Sequence, residues 1–138
     1  MTSQAAHVFT RRVEFADTDA AGIAHFARLL TMIEEAEHDF FRKHQIPILT
    51  PESAWPCISL HTDFRSKCHF GDILTINLRV MTVGRSSFNY FFAVFKQEGD
   101  QKTEVFRGEM TKCHVDPGTN NSSPIPDSAR KILEKAAH

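Results

Sequence analysis

Two aspartates, Asp17 and Asp19, stand two residues apart, shortly before a long amphipathic pattern that begins at Ile23. The first N–H groups of a helix have no partner within the helix and attract negative charge. A carboxylate beside such donors can attack a carbonyl carbon or activate water, while the N–H groups stabilise the oxyanion that forms. The residue types alone leave a second interpretation open, in which Asp17, Thr18 and Asp19 only cap the helix.

The helix that would carry these N–H groups is predicted from Ile23 to about His44. Apolar residues recur at steps of three and four, which places them on one helix face. Pro47 ends the pattern, because proline lacks an N–H and disfavours a helical residue before it. The apolar positions are Ile23, Phe26, Leu29, Leu30, Ile33, Ala36, Phe40 and Phe41.

Alternating apolar residues predict one strand before this helix and four after it. Glycine turns at Gly84 and Gly99 join three long strands into an antiparallel meander. The middle strand, residues 87–95, is apolar on both faces and is expected at the centre of the sheet. The last strand is predicted over 105–115, residues 117–126 form a loop, and Asp127 is the expected N-cap of a short helix ending near Ala136.

Composition favours one soluble α+β domain over residues 1–138. Of these residues, 41% are hydrophobic and 24% are charged, and the 16 Lys and Arg against 17 Asp and Glu leave a net charge of −1. Such a balance gives no overall attraction to nucleic acid. No stretch approaches the roughly 20 apolar residues of a membrane span.

The three cysteines and eight histidines show neither CxxC nor zinc-finger spacing, so no metal site and no disulfide framework is predicted. The chain starts without the apolar core of a signal peptide, and a cytoplasmic location is expected. GxSxG, GxxxxGK[ST] and GxGxxG motifs are all absent from the sequence. We therefore predict no serine hydrolase elbow, no P-loop and no dinucleotide fingerprint.

The segment VEFADTDAAGI, residues 13–23, resembles the signature of the 4-hydroxybenzoyl-CoA thioesterase branch of the hotdog superfamily. Similar features recur over nearly the whole chain, at residues 34–36, 56–58, 63–64, 71–72 and 84–88. The resemblance implies one hotdog domain, in which an antiparallel sheet of about five strands wraps a long central helix. It also implies hydrolysis of an aryl or short to medium acyl-CoA thioester. Coenzyme A is then part of the substrate, and no separate cofactor is expected.

The resemblance assigns roles to the residues around the motif. It makes Asp19 the catalytic nucleophile or general base and the Phe26 backbone N–H the oxyanion donor, with Asp17 orienting the loop. His25 would steer a proton or line the pocket, although an exposed first-turn histidine is an equally good interpretation. The nearby residues expected to contact substrate are Gly22 and Ile23.

The family resemblance also implies substrate contacts further along the chain. Glu34 corresponds to a carboxylate that recognises a substrate hydroxyl, although glutamates on helices are usually only solvated. A second set is expected to bind the phosphates of coenzyme A, often across a subunit boundary, unless its members are simply surface groups. That set is Arg65, Lys67, Arg85, Ser86 and Ser87.

One helix against one sheet leaves the outer face of the sheet and an edge strand uncovered. A homo-oligomer, either a dimer or a tetramer of hotdog dimers, is therefore expected. Two other functions use the same fold: a non-hydrolytic acyl-CoA-binding protein and a dehydratase. A dehydratase is expected to need a catalytic histidine, so the aspartates favour hydrolysis.

Overall fold

The computed structural model describes residues 6–137, which form two α-helices, a short 3₁₀ helix at Phe15–Asp17, a five-stranded sheet and a two-stranded sheet of β6 and β7. The order of one strand, a long helix and then four strands is as predicted. The elements are β1 (His7–Arg12), α1 (Phe26–Lys43), β2 (Cys57–Phe64), β3 (Ile73–Val83), β4 (Ser87–Glu98), β5 (Gln101–Cys113), β6 (Val115–Asp116), β7 (Asn121–Ser122) and α2 (Asp127–Ala136). Among these described residues, neither helix is long and apolar enough to cross a bilayer.

The five long strands form one antiparallel sheet in the order β1-β3-β4-β5-β2. The predicted meander of β3, β4 and β5 is confirmed, and β4 lies at the centre. The apolar stripe of α1 packs on the sheet, where the Phe41 ring lies 6.0 Å from Phe88 and 5.2 Å from Trp55. The core therefore lies between one face of the sheet and α1.

Several predicted boundaries differ from the structure. Helix α1 begins at Phe26 instead of Ile23, because Ile23 and His25 form backbone hydrogen bonds with Asp19 and Asp17. Strand β5 begins at Gln101, four residues before the predicted start, and β7 occupies part of the predicted loop. The N-cap of α2 is Pro126, and Asp127 is the first helical residue, where its charge favours the positive helix terminus.

Strand β2 is the edge of the sheet and is exposed on both faces. One of its edges pairs with β5, and within residues 6–137 no strand pairs with the other. Its apolar side chains Ile58, Leu60 and Phe64 are 61%, 40% and 47% exposed. An unpaired apolar edge of this kind is a template for a further strand.

Strands β2 and β5 approach each other closely at Gly108. A Cβ atom on Gly108 would lie 2.1 Å from the carbonyl oxygen of His61 and 2.7 Å from the ring of Phe92. Only glycine leaves room for this approach.

Candidate active site

Residues 17–25, called the motif loop below, fold into a small hairpin immediately before α1. The His25 N–H donates to the Asp17 carbonyl at 2.8 Å, and the Asp19 N–H donates to the Ile23 carbonyl at 2.9 Å. Thr18 and Ala24 pair between these two bonds as an isolated antiparallel bridge. Gly22 closes the tip with a φ of +78°, a conformation that other residues adopt only with strain. Both ends of the hairpin are thereby tied together.

Asp19 is exposed, yet its carboxylate is held in one orientation. Its Oδ1 accepts hydrogen bonds from the backbone N–H groups of Ala21 at 2.8 Å and Ile23 at 3.3 Å. Its Oδ2 has no hydrogen-bond partner among residues 6–137. A carboxylate with one bound and one free oxygen is able to act as a nucleophile or a general base.

The start of α1 leaves one backbone donor free. The Ala27 N–H donates to Nδ1 of His25 at 3.2 Å, and the Arg28 and Leu29 N–H groups donate to the His25 carbonyl. Within the described part of the chain, the Phe26 N–H has no acceptor. His25 is thus the N-cap, and the interpretation of Asp17, Thr18 and Asp19 as caps of α1 is wrong.

Asp17 is fully buried between two guanidinium groups. Arg11 from β1 binds both of its oxygens, Arg28 from α1 donates to Oδ1 at 2.9 Å, and the Glu14 N–H donates to Oδ2 at 2.8 Å. Burial alone would raise the pKa of Asp17, but these hydrogen bonds outweigh it and lower the pKa to about 2. The ionised carboxylate therefore joins β1, the hairpin and α1.

Exposed aromatic side chains surround the helix start. The ring of Phe26 is 58% exposed, stacks on His25 at 4.9 Å, and meets the ring of Phe64 edge to face at 6.3 Å. Because Phe64 ends β2, the start of α1 lies beside one end of the unpaired edge strand. Phe15 and Phe70 form a second exposed pair, with ring centres 6.4 Å apart.

The residues predicted to bind phosphate lie at opposite ends of the sheet. Arg65 and Lys67 follow β2 at the end that holds the motif loop, where the Ala24 N–H donates to the Cys68 carbonyl. Arg65 is exposed and lies 3.7 Å from Glu104.

The other three phosphate-binding candidates, Arg85, Ser86 and Ser87, lie at the β3–β4 turn. Ser87 pairs with Cys113, seven residues along β5 from Phe106, the partner of Phe64. At about 3.3 Å per residue this separation is about 23 Å. A single chain therefore does not bring the two groups together.

Glu34 contacts an ionic cluster beneath α1. The Nζ of Lys112, from β5, lies 3.1 Å from Oε2 of Glu34 and 3.1 Å from Oε2 of Glu37. The Tyr90 hydroxyl donates to Oε1 of Glu37 at 2.7 Å. Burial raises the pKa of Glu37 against the effect of Lys112. Burial alone would lower the pKa of Lys112, but the two carboxylates raise it.

Arg11, Glu37 and Lys112 were not predicted as site residues. A signal exists for two of them. Lys112 falls at an inward position of β5, in step with Met110 and Gly108, and Glu37 falls within the apolar stripe of α1. A charged residue at a core position indicates a buried partner.

Comparison with known proteins identifies the family. Residues 13–133 match the model of the thioesterase-like superfamily. The chain is 36% identical over 135 residues to a 1,4-dihydroxy-2-naphthoyl-CoA hydrolase of Prochlorococcus marinus (strain MIT 9313), covering 90% of this chain and 87% of the relative. It is 29% identical over 136 residues to the hydrolase of the same name from Synechococcus sp. (strain WH7803), covering 91% and 86%.

Solved structures show the same fold at low sequence identity. A 1,4-dihydroxy-2-naphthoyl-CoA thioesterase from Synechocystis superposes with a TM-score of 0.84 at 22% identity, covering 96% of this chain and 98% of that one. A mutant 4-hydroxybenzoyl CoA thioesterase complexed with 4-hydroxybenzoyl CoA gives a TM-score of 0.82 at 20% identity, covering 91% and 96%. These likenesses confirm the predicted hotdog fold. The chain belongs to the thioesterase-like superfamily, and the prediction of a thioesterase is confirmed.

Proposed function

We propose that the protein hydrolyses an aryl-CoA thioester to a free acid and coenzyme A, with Asp19 as the reacting carboxylate. The observation that carries this proposal is the pairing of a fixed carboxylate that has one free oxygen with an unpaired helix N–H at the other end of the same hairpin. The thioester carbonyl oxygen would accept from the Phe26 N–H, which favours the charge that develops in the tetrahedral intermediate.

Asp19 acts in one of two ways. As a nucleophile, its free oxygen bonds to the carbonyl carbon, the carbon–sulfur bond breaks, and water then hydrolyses the acyl-enzyme anhydride. As a general base, it takes a proton from a water that attacks the same carbon. In both cases coenzyme A leaves as a thiolate that gains a proton. His25 lies at the same helix end, and when Nδ1 accepts from Ala27 its Nε2–H can donate a hydrogen bond that stabilises the thiolate, while the proton itself comes from water.

A second copy of the chain would complete the site. Antiparallel pairing of two β2 edges about a two-fold axis would cover the exposed apolar residues of both strands. Because the two β2 strands would run in opposite directions, the Arg85 end of one sheet would approach the Asp19 end of the other. Within one sheet these two ends are about 23 Å apart along the strands. The proposed assembly is a homodimer with acyl-CoA between the copies, and a tetramer of such dimers stays a prediction.

The acyl group is proposed to be aromatic and hydroxylated. The relatives named above act on 1,4-dihydroxy-2-naphthoyl-CoA, and the exposed rings of Phe26 and Phe64 offer apolar surfaces for a planar group. In the proposed dimer, Glu34 of one copy lies towards the hairpin of the other and accepts a hydrogen bond from an acyl hydroxyl.

The test measures thiol release from a panel of aryl and aliphatic acyl-CoAs. We expect Asp19→Asn to lower kcat/KM by about 10²-fold or more, as loss of a general base or nucleophile implies. Asp100→Asn, in the exposed β4–β5 turn, is the matched control, and circular dichroism verifies that both variants fold.

Other outcomes would contradict the proposal in different ways. Unchanged turnover in Asp19→Asn would refute the role of Asp19. Tight binding without thiol release would favour an acyl-CoA-binding protein. Conversion of a 3-hydroxyacyl-CoA to an enoyl-CoA, without thiol release, would favour a dehydratase.

A further inference from the structure

Lys112 is a buried charged residue that the proposed reaction does not use. We propose that Lys112 is a specificity-determining positioning residue, which fixes the Glu34 carboxylate as an acceptor and so selects acyl-CoAs whose acyl group carries a hydroxyl. This inference rests on the proposed function, because it assigns a selectivity to the same site.

One oxygen of the Glu34 carboxylate is bound and the other is free. Lys112 is 1% exposed, and its Nζ donates to Oε2 of Glu34 at 3.1 Å. The side chain of Glu34 is 47% exposed, and Oε1 has no hydrogen-bond partner within residues 6–137. An ammonium group on one oxygen restricts the rotation of the carboxylate. The second oxygen is thereby presented as an oriented acceptor.

The need to neutralise Lys112 does not explain its contact with Glu34. Glu37 is 2% exposed and already places a buried carboxyl group 3.1 Å from Nζ, while Tyr90 binds its other oxygen. A second ion pair to a half-exposed partner adds little stability. The contact instead places a buried, well-packed cation behind a carboxylate that faces outward.

The position of Glu34 fits a role in the cleft of the proposed dimer. Lys112 pairs with Cys57, so Glu34 lies near the start of β2, whereas Phe26 lies against Phe64 at its end. Antiparallel pairing of two β2 strands sets the start of one beside the end of the other. Glu34 of one copy then faces the acyl group whose thioester is held at the Asp19 hairpin of the second copy.

The test compares kcat/KM for 4-hydroxybenzoyl-CoA and benzoyl-CoA, which differ by one hydroxyl. The variant is Lys112→Met combined with Glu37→Gln, because removal of both buried charges leaves neither unpaired. We expect the preference for the hydroxylated substrate to fall about tenfold, mainly through a higher KM for that substrate, as loss of one oriented hydrogen bond implies. Lys102→Met, exposed on the same strand, is the control.

A second variant keeps the test valid if the double variant fails to fold. Glu34→Gln changes a half-exposed residue and is expected to lower the same preference. Adding Glu34→Gln to the double variant should then lower it little further, since residues that act through one contact are not additive.

Three results would overturn the inference. One is an unchanged preference in either the folded double variant or Glu34→Gln, with thiol release that still depends on Asp19; this result leaves the proposed function standing. Another is an equal loss of kcat/KM for both substrates, which indicates a structural role only. Absence of thiol release from either substrate by the wild-type protein would overturn the inference together with the proposed function.

Discussion

Arg28, on the first turn of α1, donates two hydrogen bonds to Oδ1 of Asp17, at 3.1 Å from Nε and 2.9 Å from the terminal nitrogen. The helix start and the first residue of the hairpin are therefore held as one unit. Since the His25 N–H donates to the Asp17 carbonyl, the same residue sets where the free Phe26 N–H points. Any change at Asp17 should affect both folding and the geometry around Asp19.

Substitution of Asp17 by asparagine should make the free energy of unfolding less dependent on pH in the acidic range. The pKa of Asp17 is lowered from 3.8 to about 2, so its ionised form stabilises the fold fully above pH 3.8 and loses this effect as pH falls towards 2. The difference in unfolding free energy between wild type and Asp17→Asn should shrink by about 2 kcal/mol between pH 6 and pH 2. Urea unfolding across this range measures it.

Asp100→Asn provides the control for that pH series. Asp100 is exposed in the β4–β5 turn, and its variant should follow the wild-type curve. A constant difference between wild type and Asp17→Asn at every pH would show that the ionic contacts of Asp17 do not stabilise the native state.

Replacing Gly108 by alanine should destabilise the fold. The added methyl group would lie 2.1 Å from a backbone oxygen of β2, so the two strands must separate. We expect a loss of about 1–3 kcal/mol, the usual cost of overpacking, measured by urea unfolding. Gly84→Ala is the matched control, since a Cβ there would meet Ser87 Oγ at an ordinary 3.4 Å. Equal stability of the two variants would argue against the close approach of β2 and β5.

A charge on the unpaired edge strand should break the proposed dimer. Leu60 lies in the middle of β2 and is 40% exposed. Leu60→Lys should shift the protein to monomers and lower thioesterase activity, because the proposed binding cleft lies between the two copies. Size-exclusion chromatography with light scattering reports the mass. Val8→Lys, at an exposed apolar position on the opposite edge strand β1, should leave the mass unchanged, and a Leu60→Lys protein that stays dimeric would exclude pairing through β2.

The meander of β3, β4 and β5 could be predicted because its strands show alternating or continuous apolar runs and glycine turns at Gly84 and Gly99 join them. The start of α1 could not. Ile23 fits a helix stripe by its spacing, yet it also occupies a paired position in the hairpin, and local pattern does not distinguish the two. Only the contacts of Asp17 and Asp19 with the far side of the hairpin decide between them.

Candidate site residues were predictable where they are close in sequence and were missed where they are far apart. Asp19 and Phe26 are seven residues apart, so their relation follows from one motif. Lys112 and Glu34 are separated by 78 residues, and the partner of a buried lysine depends on strand register and helix position together. No spacing within either segment contains that information.

The buried cluster of Lys112, Glu37 and Tyr90 also bears on how this enzyme could be given a new substrate. Changing Lys112 alone leaves Glu37 as a buried carboxylate without a cation beside it, and changing Glu37 alone leaves the buried Lys112 with only the half-exposed Glu34 as its partner. Each single step lowers stability before any gain in selectivity appears. A directed-evolution library that randomises the codons for Glu34, Glu37 and Lys112 together would avoid these unstable single variants. Stepwise mutagenesis would discard them before a selective combination is reached.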